Sequence, residues 1–365
     1  MAVIHVVIPC YNVEEYLEHA VKSVLNQPSK DIDIVLVDDG SPDNSPRICD
    51  ELARKEDRIH VIHQENGGLC AARNAGIEYV LQNLYTEGER EFVAFLDADD
   101  AWCPNVMDDV LIRHLVTDWY EDIIGFSGIY SNFRMDCFSA VIPNENISGA
   151  VGESLIWRAQ NVHLGAKLFR IDLLTRWNLR FQYKQLYTED RIFLLQSFFL
   201  AERARMLDRP LYVYRKNKNG IMSQIMKMSA TRHYLPIVDG WRKCDDFLND
   251  LEDRTGRHSA SGYTLASAYL VEMVAEHFKK WGNRKEIFEI FENHPHFDAT
   301  RNAQVKYFTA RAYRENRLLF EHPQVFEWKY RMIGIIEWGA WKVLCIPVLN
   351  NIREKKKYPF TEIPD

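Results

Sequence analysis

The sequence predicts an α/β fold: a mostly parallel sheet flanked by helices, with a helical region after it. Three observations carry this expectation. Short β-branched and aromatic runs alternate with amphipathic stretches over the first hundred residues, giving β-α-β-α-β-α-β. The strand-like runs are apolar almost throughout, as burial on both faces demands. Each run ends in a polar cluster, and in such sheets ligands bind outside the carboxyl ends of the strands.

Val3–Ile8 is the first run, closed by Pro9. Asn12 and Glu15 then have capping-box spacing, and Val13, Leu17, Ala20, Val21, Val24 and Leu25 form a helical stripe. Ile32–Val37 is the second strand and ends at Asp38, Asp39 and Gly40. A helix follows over roughly Ser45–Arg54. The third strand, Arg58–His63, leads through Gln64–Gly68 into a helix that carries Arg73. The fourth run, F-V-A-F-L-D-A-D-D, starts at Phe92 and ends in Asp97, Asp99 and Asp100. It is short, rich in Phe and bounded by charge, which favours a buried strand. Asp97 and Asp99 point the same way if the segment is extended. Two like charges so placed repel unless a cation or donor network lies between them. Hard divalent cations suit such oxygens, shared with substrate phosphates. A solvated acidic turn is the alternative for this tripeptide alone.

Pro9–Asn12, Asp38–Gly40, Asn66–Gly68 and Asp97–Asp99 all fall at one rim of the expected sheet. Asp39 suits a base or ribose donor, or else a turn before Gly40. Gly67 and Gly68 allow close backbone approach to a ligand, or a tight turn. Arg73 has the donor fork a diphosphate needs, or serves a surface ion pair. No Walker A sequence is present and no G-x-G-x-x-G follows a strand, which argues against ATPase and Rossmann dehydrogenase chemistry.

The middle of the chain is less legible. Pro104–Val116 reads as a helix with Pro at its start, Ile123–Tyr130 as a strand, and Phe133–Gly149 as strands or loops. K-L-F-R-I-D-L-L, from Lys167, reads as a strand leading into a short helix. Thr188 is a candidate N-cap for an apolar helix with Glu189 and Asp190 in its first turn, where the helix dipole alone favours acids. Leu211–Arg215 reads as a strand, followed by a basic, Gly-containing loop: a lid over a diphosphate, or a solvated connector.

Helical spacing dominates after about residue 225, near 229–252, 261–282, 284–292 and 301–318. Met332–Leu349 is mostly apolar and is followed by R-E-K-K-K. It reads as an interfacial helix touching anionic lipid through 332–358, or as a core-facing terminal helix; Glu337, Lys342 and Pro347 argue against a span.

Composition is that of a globular protein, with 47% hydrophobic and 27% charged residues over 365. The net charge of −7 disfavours a nucleic-acid partner. The seven cysteines are widely spaced, which fits free thiols in a reducing compartment. No signal-peptide pattern opens the sequence. The expected location is cytoplasmic, with peripheral contact at the inner membrane face as the added option.

I-P-C-Y-N, V-D-D-G-S, N-G-G-L-C-A-A-R-N-A-G and F-L-D-A-D-D, in this order, resemble the nucleotide-sugar half of glycosyltransferase family 2. The resemblance covers about residues 1–220. It implies a GT-A catalytic domain over 1–225, with a nucleotide-binding half (1–100) and an acceptor and base half (101–225), then the helical region 226–365. It implies an inverting transfer of a hexose or N-acetylhexosamine from a UDP-sugar to a saccharide or lipid-linked saccharide. It also implies binding of the nucleotide-sugar by Pro9, Tyr11, Asn12, Asp39, Asn66, Arg73, Asp97 and Ala98. Asp97 and Asp99 would hold Mg²⁺ or Mn²⁺. Asp190 would be the general base, with Glu189 supporting it. Two other readings remain: a nucleotidyltransferase making sugar nucleotides, and a non-catalytic sugar-nucleotide-binding protein. The first would need a Gly-rich basic loop after strand one, where P-C-Y-N-V-E-E stands instead.

Overall fold

The structure, a computed structural model, describes residues 3–131, 135, 138–142, 147–150, 163–182, 189–216, 322 and 324–333, with scattered positions between 243 and 254. The chain divides into two compact units, one of residues 1–185, 189–220 and 360–365, the other of 186–188 and 221–359. Most of the helical region expected after residue 225 lies outside the described residues, as do Thr188 and the basic loop after Lys216. Within them, 324–333 is helical, and no helix is long and apolar enough to cross a membrane.

The first unit is built on one ten-stranded sheet. The strands β1 (Ile4–Cys10), β2 (Ile32–Asp38), β3 (Ile59–His63) and β4 (Phe92–Phe95) run parallel in the order β3-β2-β1-β4. β1 and β4 are buried along their whole length, which is why their sequences do not alternate. The helices α1 (Leu17–Leu25), α2 (Ser45–Ala53) and α3 (Leu69–Tyr79) make the connections. The second half adds β5 (Ala101–Trp102), β6 (Ile123–Ser131), β7 (Phe138–Ile142), β8 (Ile147–Ala150), β9 (Lys167–Arg170) and β10 (Ala204–Arg215). β9 lies antiparallel between β4 and β6 and so joins the two halves. β10 pairs parallel with β6 and antiparallel with β5 and β8. The α-helices described in this half are α4 (Asp109–Arg113), α5 (Ile171–Arg176) and α6 (Glu189–Leu200).

Two expected helix starts are corrected. Asn12 does not cap α1: it sits in the left-handed region at φ 56°, and the helix begins at Leu17 with no side-chain cap. The amides just after Asn12 have partners across the fold, Val13 N donating to Ser45 Oγ and Glu14 N to Asp43 Oδ2, both at 3.0 Å. Likewise Pro104 does not open a helix. Gln27, buried, accepts from the amides of Val106 (3.1 Å) and Met107 (2.9 Å) and donates to the Cys103 carbonyl (2.9 Å), which pins this stretch as a loop. The helix starts only after Asp108, whose carboxylate caps the Leu111 amide at 2.8 Å.

A buried 3₁₀ turn, Leu164–Ala166, precedes β9. A Cβ on Gly165 would lie 2.0 Å from the Tyr212 ring. Both residues are fully packed, so the ring cannot swing aside. Gly165→Ala is expected to cost about 1–3 kcal/mol, the usual range for overpacking. Thermal unfolding of the variant would read this; an unchanged Tm would show that the ring has room.

Candidate active site

The four parallel strands end on one rim, and the rim is built by hydrogen bonds between their loops. At the end of β2, Asp39 is buried and grips the loop after β3. Its Oδ1 accepts from Gln64 Nε2 (2.6 Å) and Gly67 N (2.8 Å), and its Oδ2 accepts from Gly68 N (2.8 Å). Asn66 Nδ2 closes the contact on the Asp39 carbonyl at 3.0 Å. Gly68 takes φ 85°, a conformation that only glycine adopts at little cost, and opens α3. A carboxylate has about four acceptor positions, and three here are taken within the protein. Asp39 therefore organises the rim first and has limited capacity left for a ligand. Asn66 is likewise a tie to that loop. Pro9 lies in β1 and Tyr11 is 51% exposed just beyond it.

Arg73, in the second turn of α3, is not presented to solvent as a diphosphate clamp. Its side chain is 3% exposed and bridges two acids. Nη2 donates to Asp97 Oδ1 at 2.7 Å and Nη1 to Glu189 Oε1 at 3.0 Å, while the guanidinium lies 5.2 Å from the Phe181 ring centroid. Burial works against this charge, but Asp97, Glu189 and Asp190 outweigh it and hold the guanidinium firmly protonated. Burial also pushes the Glu189 carboxyl up, with Arg73 opposing. One guanidinium thus ties the end of β4 to the first turn of α6, where Asp190 sits. Asp97 and Asp190, 93 positions apart in sequence, act on the same cation.

The loop after β4 is clamped from β10. Asp100 is buried; the Tyr212 hydroxyl donates to Oδ2, and the Arg215 amide donates to Oδ1 at 2.7 Å. Arg215 Nε donates to the Asp99 carbonyl at 2.6 Å. Burial, then the charges of Asp99 and Asp97, raise the Asp100 carboxyl well above the usual range. Two further carboxylates, Asp97 and Asp99, thus stand in the same loop as this buried acid. Ala98 is buried between the two acids, whereas Asp97 and Asp99 are half-buried at the rim.

Asp97 and Asp99, half-buried two positions apart, are the groups a cation would have to meet. Among the described residues no group of three or more His, Cys, Asp or Glu is placed to hold a metal. Asp97 is already engaged by Arg73. A dedicated protein cage is therefore not what these residues form. They fit an ion held by one or two carboxylates and completed by substrate phosphates, the usual arrangement for Mg²⁺.

Residues 5–142 match the sequence profile of Glycosyl transferase family 2. The chain carries a family 2 glycosyltransferase domain. It is 32% identical over 246 residues to an uncharacterized glycosyltransferase, EpsJ, of Bacillus subtilis, covering 63% of this chain and 66% of that protein. It is 31% identical over 225 residues to the minor teichoic acid biosynthesis protein GgaA of the same organism, covering 58% and 47%. The match thus spans less than two thirds of either relative. The fold is that of GT-A glycosyltransferases. TarS of S. aureus, solved with UDP-GlcNAc, superposes with a TM-score of 0.58 at 20% identity, covering 94% of this chain and 92% of that one.

Several side chains around the site were not singled out from sequence. Gln64, Phe181, Tyr212 and Arg215 act through partners far along the chain. Lys167 left a signal that was available: a lysine at the first position of a short apolar strand.

Proposed function

We propose that the domain transfers a hexose or N-acetylhexosamine from a UDP-sugar to a hydroxyl of a saccharide acceptor, with inversion, in surface-polysaccharide or glycolipid assembly. One observation carries the reading: the Arg73 bridge, which brings the acidic rim of β4 and the first turn of α6 to one place. The UDP-GlcNAc bound by TarS and the teichoic acid role of GgaA support the donor and the pathway class.

In this reading Asp190 takes the proton from the acceptor hydroxyl as it attacks the anomeric carbon, since an alcohol is a poor nucleophile until a carboxylate accepts its proton. Attack comes from the face opposite the nucleotide, so a single displacement inverts the centre. Charge on the sugar resembles an oxocarbenium ion at the transition state. Asp99, with Asp97 beside it, would hold Mn²⁺ or Mg²⁺ against the diphosphate, and the ion would neutralise the leaving group's charge. Pro9, Tyr11, Asn12, Asp39, Asn66 and Ala98 form the nucleoside side of the cleft, and Glu189 fixes the base helix through Arg73. Arg73 acts on the diphosphate only through Asp97. The catalytic domain spans 1–225, and the region 226–365 brings a lipid-linked acceptor within reach at the inner membrane face.

The test is UDP release from UDP-GlcNAc and other UDP-sugars by the full chain. Slow release that needs Mn²⁺ and is abolished by EDTA is expected. Binding of UDP-sugars without turnover, across a panel of saccharide acceptors, overturns the reading in favour of a binding protein.

A further inference from the structure

β9 runs antiparallel to both β4 and β6, and β10 runs parallel with β6. β6 and β10 therefore point the same way as β4, and their last residues reach the rim that carries the acidic loop. Tyr130 and Tyr214 stand one position before those two ends and are partners in the ladder. Ladder partners project to one face of a sheet. Their rings meet edge to face, with centroids 5.5 Å apart. Tyr212, two positions back along β10, projects to the same face, and its hydroxyl donates to Asp100. This face thus leads up to the acidic loop.

His163 completes the cluster. Its ring centroid lies 5.7 Å from those of Tyr130 and Tyr214 and 6.5 Å from that of Tyr212, to which it is nearly parallel. Its Nε2 is 3.1 Å from the Tyr130 hydroxyl. The backbone at this point is fixed, because the buried Lys167 Nζ donates to the His163 carbonyl at 2.9 Å. The 3₁₀ turn between the two packs against α6, the helix of Asp190. Tyr212 is buried, whereas Tyr130, His163 and Tyr214 are half-buried. The aromatic column therefore opens at the rim, between the acidic loop and the base helix. Burial, then the charges of Asp100, Asp99 and Asp97, raise the Tyr214 phenol above its ordinary 10, so it keeps its proton as a donor.

The loops assigned to the nucleoside lie elsewhere. β1, β4, β9 and β6 are successive neighbours in the sheet, which sets β6 about 14 Å from β1 at the usual strand spacing. A pyranose ring suits the aromatic patch. The C–H groups of its apolar face are slightly positive and match the negative face of a tyrosine ring, while its hydroxyls find partners in phenols and imidazole. A chain polyol has no flat apolar face, and its phosphates would meet the acids of the 97–100 loop.

We propose that Tyr130, His163 and Tyr214 form the subsite for the terminal pyranose ring of the acceptor, so that the acceptor is a cyclic sugar and not an open-chain polyol phosphate. The proposal rests on the transferase reading above and assigns its acceptor side.

The experiment is saturation-transfer NMR on the full chain with UDP and Mg²⁺ present. The probes are the methyl β-glycosides of glucose, galactose and N-acetylglucosamine, with ribitol phosphate as the open-chain control. At least one pyranoside should receive saturation on its ring C–H protons, and ribitol phosphate should receive none. Tyr214→Leu should weaken pyranoside binding about tenfold, the effect of losing an aromatic face together with its packing. Tyr214→Phe keeps the face and should stay within about threefold of wild type, the usual net value of one hydrogen bond. UDP Kd should be unchanged in both variants, which also shows that they fold. Silence of every pyranoside in the wild type overturns the proposal, as does undiminished binding in Tyr214→Leu or equal saturation of ribitol phosphate. Loss of UDP binding in Tyr214→Leu overturns it too, since the ring would then serve the donor or the fold. Failure of the transferase reading looks different: pyranosides bind as expected, yet no UDP-sugar is turned over with any of them.

Discussion

Asp190→Asn is expected to lower sugar transfer by about 10²–10⁴-fold, the usual contribution of a positioned general base. The amide keeps the shape of the side chain and its place in the first turn of α6, but it cannot take a proton. Because Asp190 belongs to α6 and not to the loops after β1 and β2 assigned to the nucleoside, UDP binding should be unchanged. Calorimetric UDP titration beside turnover measures both. A loss of kcat with an unchanged donor Kd is the signature of an interaction made only as the bond forms. A variant that binds UDP as wild type and still turns over at the full rate would remove Asp190 from the chemistry.

The second large effect is on stability. Arg73→Met keeps the buried stem but strands Glu189, whose side chain is only 8% exposed. Removing one partner of a buried ion pair costs about 3–5 kcal/mol, because the other charge is left without compensation. Asp97, 41% exposed, should add little, since water replaces its partner. The sign of the pH dependence follows from Glu189. Burial already raises this carboxyl above its ordinary 4.5, with Arg73 opposing. An acid raised in the folded state weakens the fold as pH rises above that ordinary value. Loss of Arg73 raises it further, so the damage should be greater at pH 8 than at pH 5. Paired unfolding curves at the two pH values test this; equal losses would show that Glu189 is not the group left stranded.

How far the sequence discloses this arrangement depends on how local each feature is. β1 to β4 were legible because each is a short apolar run that stops at polar residues, and the fold confirms their parallel order. The acidic loop at 97–100 was legible for the same reason. The two misplaced helix starts have a common cause. Asn12 and Pro104 carry strong local signals, but Ser45, Asp43 and Gln27 satisfy the nearby amides from other parts of the chain, and tertiary partners override a cap. Arg73 shows the same limit at the site. Its residue type announced an anion partner, yet its two acids lie 24 and 116 positions away, so sequence could not say that the anion is the protein's own. Lys167 differs: a lysine opening a buried strand is an oddity visible in the sequence itself.

The place of β9 has a consequence for synthesis. During translation β1 to β4 emerge and can pair before residue 167 leaves the ribosome, so β4 waits with an open apolar edge, F-V-A-F, until its partner arrives. A chain cut short before residue 163 would keep that edge permanently, and self-association into aggregates would compete with any nucleotide binding it retained.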